Sequence, residues 1–310
     1  MLKFVKRYVR NILDRKPIVI NGLVKKEIDE LIDSCYLVKI ELGSKNLPSE
    51  KVWFRFQIEL LNNILNKNPL EFLKWEGIKG AMCPSFPVKF IKDELDELKK
   101  SEVWLTRWKV NLNESSTGCS QKYPYLFKSS GNLIHQAYNL HQFEKISNKT
   151  INKFDFIFEF GGGYGATCNL INRLGFRGKY IIYDLYIFSS LQKFYLKLEQ
   201  NDVSKIPGKN KINTFSNLKD VESTIKQSNL DNSMFIANWS LTETPIKIRS
   251  KFHPLMKNFN NVLIAFRDVF GEVDNMNYVE QFKGFFQPKI KWNLIENPYQ
   301  PKNYYLIGFN

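Results

Sequence analysis

The ten residues FIFEFGGGYG, positions 156–165, set the fold of this chain. The stretch before Gly161 is apolar at nearly every position, as expected for a strand covered on both faces. The glycines then open a turn that runs into a helical pattern. Gly161, Gly163 and Gly165 permit a tight turn and let a ligand approach the backbone where a Cβ would collide. Nineteen residues beyond Gly165, Asp184 closes the next apolar run, where a carboxylate accepts hydrogen bonds from both hydroxyls of a ribose. Strand, glycine turn, helix, strand and acid point to a nucleoside-containing ligand at the carboxyl edge of a parallel sheet.

Further short apolar runs follow at 180–183, 234–237 and 262–266, with a weaker one at 211–215. The segments between them are long enough to hold helices, which predicts parallel strands with helical crossovers. Thr244 and Pro245 predict an N-cap and first-turn proline, followed by a helical stripe of Ile248, Phe252, Leu255 and Phe259. At the end of the chain, strand-like 290–295 and 304–309 are separated only by ENPYQPKN. A parallel crossover needs a dozen or more residues, so this pair must be an antiparallel hairpin.

Upstream of the sheet the pattern is mostly helical. Phe54, Ile58, Leu61 and Leu65 recur at helical spacing, and Asn68-Pro69 stops that segment. Helices are also predicted over 91–103 and 133–146, with an irregular Ser-, Gly- and Pro-containing loop at 113–130. The chain thus divides into a helical region, 1–148, that contributes to a substrate pocket, and a ligand-binding α/β domain, 149–310.

Taken alone, the glycines are ambiguous, because Gly161, Gly163 and Ala166 also satisfy the looser G-x-G-x-x-A dinucleotide pattern. Two features favour a different ligand. Glu159 sits inside the strand, where a carboxylate helps hold a cationic amino acid moiety. The terminal hairpin is the second, since the standard dinucleotide-binding fold lacks it.

The segment FEFGGGYG, 158–165, resembles motif I of S-adenosylmethionine-dependent methyltransferases. More narrowly, the half from Glu159 onward resembles the sugar O-methyltransferase family found with bacterial surface-polysaccharide genes. That likeness rests on EFGGGYG, on YIIYDL at 180–185 followed by LQKFYL at 191–196, on NWSLTE at 238–243 and on YYLIG at 304–308. A thinner match covers 132–143. Tyr186 departs from the family, which has proline after Asp-Leu, so the ribose loop is expected to differ. The resemblance implies the class I methyltransferase architecture, a seven-stranded Rossmann-like sheet with a C-terminal antiparallel hairpin. It implies S-adenosylmethionine as cofactor, with S-adenosylhomocysteine as product. The activity implied is methylation of a sugar hydroxyl on a nucleotide- or lipid-linked glycan precursor.

The expected cofactor-binding residues are Glu159, Gly161, Gly162, Gly163, Tyr164, Gly165, Asp184, Leu185, Asn238 and Trp239. A hydroxyl is a poor nucleophile until a base takes its proton. His135, His141 and Glu243 are the candidates for catalysis, and Tyr138, Ser240 and Asp268 for binding the acceptor. Each also has a purely structural reading: a helix histidine that hydrogen-bonds locally, a first-turn acid facing a helix dipole, an aromatic in the core. Asn238-Trp239-Ser240-Leu241 lacks the two prolines of the amino-methyltransferases that act on flipped bases. Asn238 and Asp268 are a thin ligand set for a hard cation, so no metal is expected.

The chain has 310 residues, 43% of them hydrophobic and 15% aromatic, enough for a real core and not the composition of a disordered chain. Its formal charge of +14 favours polyanionic partners without choosing among them. Four separated cysteines with no CxxC pair exclude a zinc ribbon or a dense disulfide framework. They fit a reducing cytosol. No compact basic-aromatic block is present, so nucleic acid is a disfavoured partner. Residues 1–16 carry six basic side chains and one acid, with Leu2, Val5, Val9 and Ile12 as an apolar stripe. Such a helix either packs on its neighbours or rests on an anionic membrane face. The expected location is the cytoplasm, at the inner membrane face if the helix binds lipid. An RNA methyltransferase, an enzyme acting on another small molecule and a non-catalytic binding module are the rival readings. Oligomeric state has no signal in the sequence.

Overall fold

The computed structural model describes residues 22–36, 48–82, 89–201, 211–286 and 290–310. The basic amphipathic stretch of residues 1–16 lies outside the described residues. Among those described, no helix is long and apolar enough to cross a membrane.

A seven-stranded sheet forms the centre: β1 (Phe156–Phe160), β2 (Lys179–Tyr183), β3 (Lys211–Phe215), β4 (Ser233–Asn238), β5 (Asn261–Arg267), β6 (Lys291–Glu296) and β7 (Asn303–Phe309). Their order is β6-β7-β5-β4-β1-β2-β3. The neighbours β3-β2, β2-β1, β1-β4 and β4-β5 are parallel, and β7 runs antiparallel to both β5 and β6. This is the expected α/β architecture with its C-terminal hairpin. The order reverses between β1 and β4, and open α/β sheets bind ligands at such a switch point.

Side chains alternate across each strand with period two. Ile157, Tyr180, Ile182, Met234, Ile236, Leu263, Tyr305 and Ile307 enter one core, and Phe156, Phe158, Phe160, Ile181, Phe235, Val262, Ile264 and Leu306 the other. The first core is shared with the upstream helices α1 (Gly22–Tyr36), α2 (Pro48–Asn66), α3 (Glu76–Met82), α4 (Lys89–Lys99) and α5 (Gly131–Ser147), and with the crossovers α6 (Ala166–Arg173) and α7 (Tyr186–Asn201). The second packs against α8 (Leu218–Lys226) and α9 (Asn275–Lys283). Both faces of the sheet are therefore dry, which is why its strands read as continuous apolar runs.

Three local expectations differ from the structure. The helix expected over 91–103 ends at Lys99 and is followed by a π-helical turn, Trp104–Trp108. The loop at 113–130 contains a two-stranded ribbon, Lys122–Tyr123 with Leu126–Ser130. The long helix expected after Pro245 is two separate turns, Ile246–Arg249 and His253–Met256, and Thr244 does not cap the first. Pro254 lacks the N–H that would continue one helix through this region. Buried Arg249 also binds the carbonyls of Thr242 and Thr244, holding the chain in its tighter path. Of the expected stripe, Phe252, Leu255 and Phe259 are buried all the same.

Candidate active site

The carboxyl ends of β1, β2 and β4 open into a cavity of about 1470 Å³. Ordinary small-ligand sites occupy roughly 300–1,000 Å³, so this one has room for two reactants. Its floor is the glycine turn. Gly161 adopts φ +70 and Gly163 φ +59, conformations that a Cβ penalises. A Cβ at Gly161 would also sit 2.3 Å from Cβ of Ser240. The turn and the end of β4 touch here, and the Ser240 hydroxyl donates to the carbonyl of Phe160. Gly161 N–H donates to Tyr183 C=O at 2.7 Å, fixing the turn to β2. Gly165, at φ +98, occupies the N-cap position of α6 and is not among the residues lining the cavity.

Asp184 lines the cavity at the end of β2. Its Oδ1 accepts from Leu185 N–H at 2.8 Å and its Oδ2 from Gln192 Nε2 at 2.7 Å. The Gly163 N–H also acts on this carboxyl, and of the roughly four acceptor sites of a carboxylate these donors leave capacity for a ligand hydroxyl. Surrounding protein desolvates the carboxyl and pushes it up to about 7, against the opposing pull of these donors. Gln192 Nε2 donates also to Gly163 C=O at 2.9 Å, so one buried amide ties the glycine turn to the acid. Sequence reasoning did not single out Gln192, although it lies in the LQKFYL stretch; only its contacts reveal its role. Tyr186, the departure from the family pattern, is the first residue of α7 and lines the cavity.

Glu159 is buried in β1, where its Oε2 accepts from the Tyr180 hydroxyl at 2.8 Å. Burial pushes it up to about 7, and hydrogen bonds from Tyr180 and Thr167 only partly offset that. Tyr164 turns its side chain into the core, where its hydroxyl accepts from Asn132 Nδ2 at 2.8 Å. After β4, Asn238, Trp239 and Ser240 all line the cavity, as does Leu185. Asn238 Oδ1 is buried and has no hydrogen-bond partner among the described residues. Leaving such an acceptor unpaired costs about 1–3 kcal/mol, and a donor on a ligand would remove that cost. Trp239 is held at φ +46 with its indole N–H donating to Asn303 Oδ1 at 3.2 Å.

The catalytic candidates divide. His135 on α5 and Glu243 after β4 both line the cavity. Nδ1 of His135 lies 2.8 and 3.0 Å from the two carboxylate oxygens of Glu94, a buried residue of α4. Its ring packs against Trp239 and Phe90, at centroid distances of 4.7 and 5.5 Å. Glu243 is desolvated and pushed up to about 8, with Arg249 opposing the shift. Its backbone carbonyl accepts from the indole N–H of Trp53 at 3.3 Å.

Besides Gly165, three expected site residues lie away from the cavity lining. His141 is six residues past His135, a third of a turn around α5, and packs against Trp108 with centroids 5.9 Å apart. Tyr138 is buried against Tyr299 and Tyr305 on the side of the terminal hairpin. Asp268 caps the turn after β5, where its Oδ1 accepts from Val269 N–H at 2.8 Å and its own N–H donates to Lys302 C=O. All three have structural partners, and none borders the space where a reaction could occur. Among the described residues, no group of three or more His, Cys, Asp or Glu is placed to hold a metal ion.

No protein-family model matches the chain, and no curated protein matches it. Solved structures do resemble it, at low similarity. Magnesium protoporphyrin IX methyltransferase from Synechocystis, crystallised with S-adenosylmethionine, is 9% identical, covering 73% of this chain and all of that one, with a TM-score of 0.40. The methyltransferase domain of bacterial CtHen1 is 10% identical over 58% of this chain and all of its own, with a TM-score of 0.42. A mutant of MtNAS in complex with S-adenosylmethionine is 8% identical, spans 99% of this chain and 97% of its own, and has a TM-score of 0.38. Likeness this distant carries no weight for substrate or activity; the side chains of the crevice must do so.

Proposed function

We propose that the chain is an S-adenosylmethionine-dependent O-methyltransferase. The observation that carries this reading is the glycine turn locked through Gln192 to a half-covered Asp184, inside a cavity that also holds His135. The crevice fits the donor. Gly161 and Gly163 supply bare backbone, Asp184 supplies acceptor capacity for a ribose hydroxyl, and the unpaired Oδ1 of Asn238 awaits a donor. Glu159, close beneath Gly162 and pushed up to about 7 by burial, would offer its ionised form to the cationic amino acid moiety. When bound there, S-adenosylmethionine supplies a methyl group on a sulfonium, and the chain's tasks are alignment, exclusion of water and removal of a proton.

The acceptor we propose is a sugar hydroxyl on a nucleotide- or lipid-linked glycan precursor of surface polysaccharide. Support comes from the sequence likeness to the sugar O-methyltransferases and from the second half of the cavity. Glu50, Trp53 and Gln57 of α2 and Glu243 line it, a mixture of acids, an amide and an aromatic face suited to a polyhydroxylated ring. Glu243, protonated at neutral pH by its desolvation, would donate a hydrogen bond to the acceptor. Other residues of the helical region, among them Lys79 and Phe90, also border this space.

Isothermal titration tests the donor. Binding of S-adenosylmethionine or S-adenosylhomocysteine is expected with a constant in the range typical of KM values, roughly 1 μM–1 mM. Absence of heat with both, together with binding of a nicotinamide dinucleotide, would overturn the reading. Transfer of a labelled methyl group to nucleoside-diphosphate hexoses, with RNA as the comparison, tests the acceptor. Labelling of RNA alone would replace the sugar by a nucleic acid.

A further inference from the structure

We propose that Glu94 is a positioning residue for His135, so that the proton acceptor of the reaction is a buried Glu94–His135 pair contributed by the helical region. This rests on the methyl-transfer reading of the same cavity.

Four contacts converge on one orientation of the His135 ring. Both oxygens of Glu94 lie on Nδ1, at 2.8 and 3.0 Å. A carboxylate oxygen accepts, so Nδ1 carries a ring proton, and in the neutral imidazole Nε2 presents its lone pair. Trp239 and Phe90 pack against the imidazole and restrain its rotation. Glu94 is itself fully buried and does not line the cavity, so it meets a ligand only through His135. It is anchored from the far end of the chain. Asn297 Nδ2, between the terminal strands, donates to Glu94 Oε1 at 3.4 Å and to the Tyr305 hydroxyl at 3.1 Å. That hydroxyl donates to Asn139 Oδ1 at 2.9 Å, closing the network onto α5. A buried acid is costly unless it is paired and hydrogen-bonded, and the partner that Glu94 has is the histidine that borders the cavity.

In the step proposed, Nε2 of His135 takes the hydroxyl proton as the oxygen's electron pair forms the new O–CH₃ bond. The electron pair of the broken C–S bond stays on sulfur, which passes from sulfonium to neutral thioether. The imidazolium so formed faces the Glu94 carboxylate, which stabilises it, and its proton leaves to water when product departs.

With only three histidines, an imidazole nitrogen NMR spectrum of the ¹⁵N-labelled protein is readily assigned, using His135→Gln to mark the signal. The neutral His135 ring is expected to carry its proton on Nδ1 in the wild type, and in Glu94→Gln to lose that tautomer or mix it with the Nε2–H form. A wild-type ring protonated on Nε2, or an unchanged spectrum in Glu94→Gln, overturns the proposal. On any nucleoside-diphosphate hexose that is methylated, Glu94→Gln should lower kcat roughly 10–100-fold and leave the affinity for S-adenosylmethionine unchanged. Parental kcat also overturns it. If Glu94→Gln does not fold, the wild-type tautomer alone decides. Failure of the wild type to bind S-adenosylmethionine would instead sink the methyl-transfer reading, a separate and distinguishable result.

Discussion

Gln192 Nε2 stands 2.7 Å from Oδ2 of Asp184 while donating its second hydrogen to the Gly163 carbonyl. One amide therefore holds the glycine turn and the acid at the end of β2 at a fixed separation. Gln192→Ala is expected to weaken S-adenosylmethionine binding by roughly tenfold, the worth of a lost hydrogen bond to a charged group. Titration calorimetry checks this, and unchanged affinity would show that the bridge does not organise the crevice.

Gly161→Ala brings a Cβ to within 2.3 Å of Ser240 Cβ at a backbone with φ +70. The left-handed conformation alone costs about 1–2 kcal/mol, and the collision adds to it. Tm is expected to fall by roughly 5 °C, with donor binding lost. Adding Ser240→Gly should recover part of the Tm, because it relieves the collision and leaves the backbone strain. A double variant no more stable than Gly161→Ala would contradict the contact.

If Asp184, pushed up to about 7, holds the ribose as proposed, it would do so best as the ionised acceptor. Affinity for S-adenosylmethionine should therefore rise between pH 6 and pH 8, by up to about tenfold if this one group dominates. Asp184→Asn should bind more weakly and with a flatter pH dependence. An affinity that falls over this interval in the wild type would exclude the assignment.

Glu243 bears on the pH dependence of folding. Its carboxyl titrates near 8 in the folded chain against an ordinary 4.5, so its contribution is fully present below 4.5 and is lost as pH rises through 8. The Tm of the ligand-free protein should thus drop less between pH 5 and pH 8 in Glu243→Gln than in the wild type. Equal drops would mean that Glu243 is not desolvated as described.

His141 packs against Trp108 outside the cavity, and burial lowers its imidazole below the ordinary value. His141→Gln should leave S-adenosylmethionine affinity at the parental level while lowering Tm slightly. A loss of affinity comparable to that of Gln192→Ala would return His141 to the site.

Much of the architecture was legible because it is local. The runs around Phe158, Ile181, Phe235 and Ile264 are apolar on both faces because helices cover both faces of the sheet. The eight residues between the terminal strands leave room only for a hairpin. The break at Pro254 was readable too, but the helical spacing of Phe252, Leu255 and Phe259, all three buried, masks it.

By itself the sequence determined the glycine turn, the acid at the end of β2 and the strand order's antiparallel close, because spacing along the chain fixes backbone conformation and reach. Tertiary structure alone decided which helix residues border the cavity. His135 and His141 look alike along α5, and only its packing turns one toward the crevice and the other against Trp108. The same holds for Glu94 and Asn297, 203 residues apart yet in contact. Side-chain partnership over such separations depends on how covered faces pack, and no periodicity in a single chain encodes it.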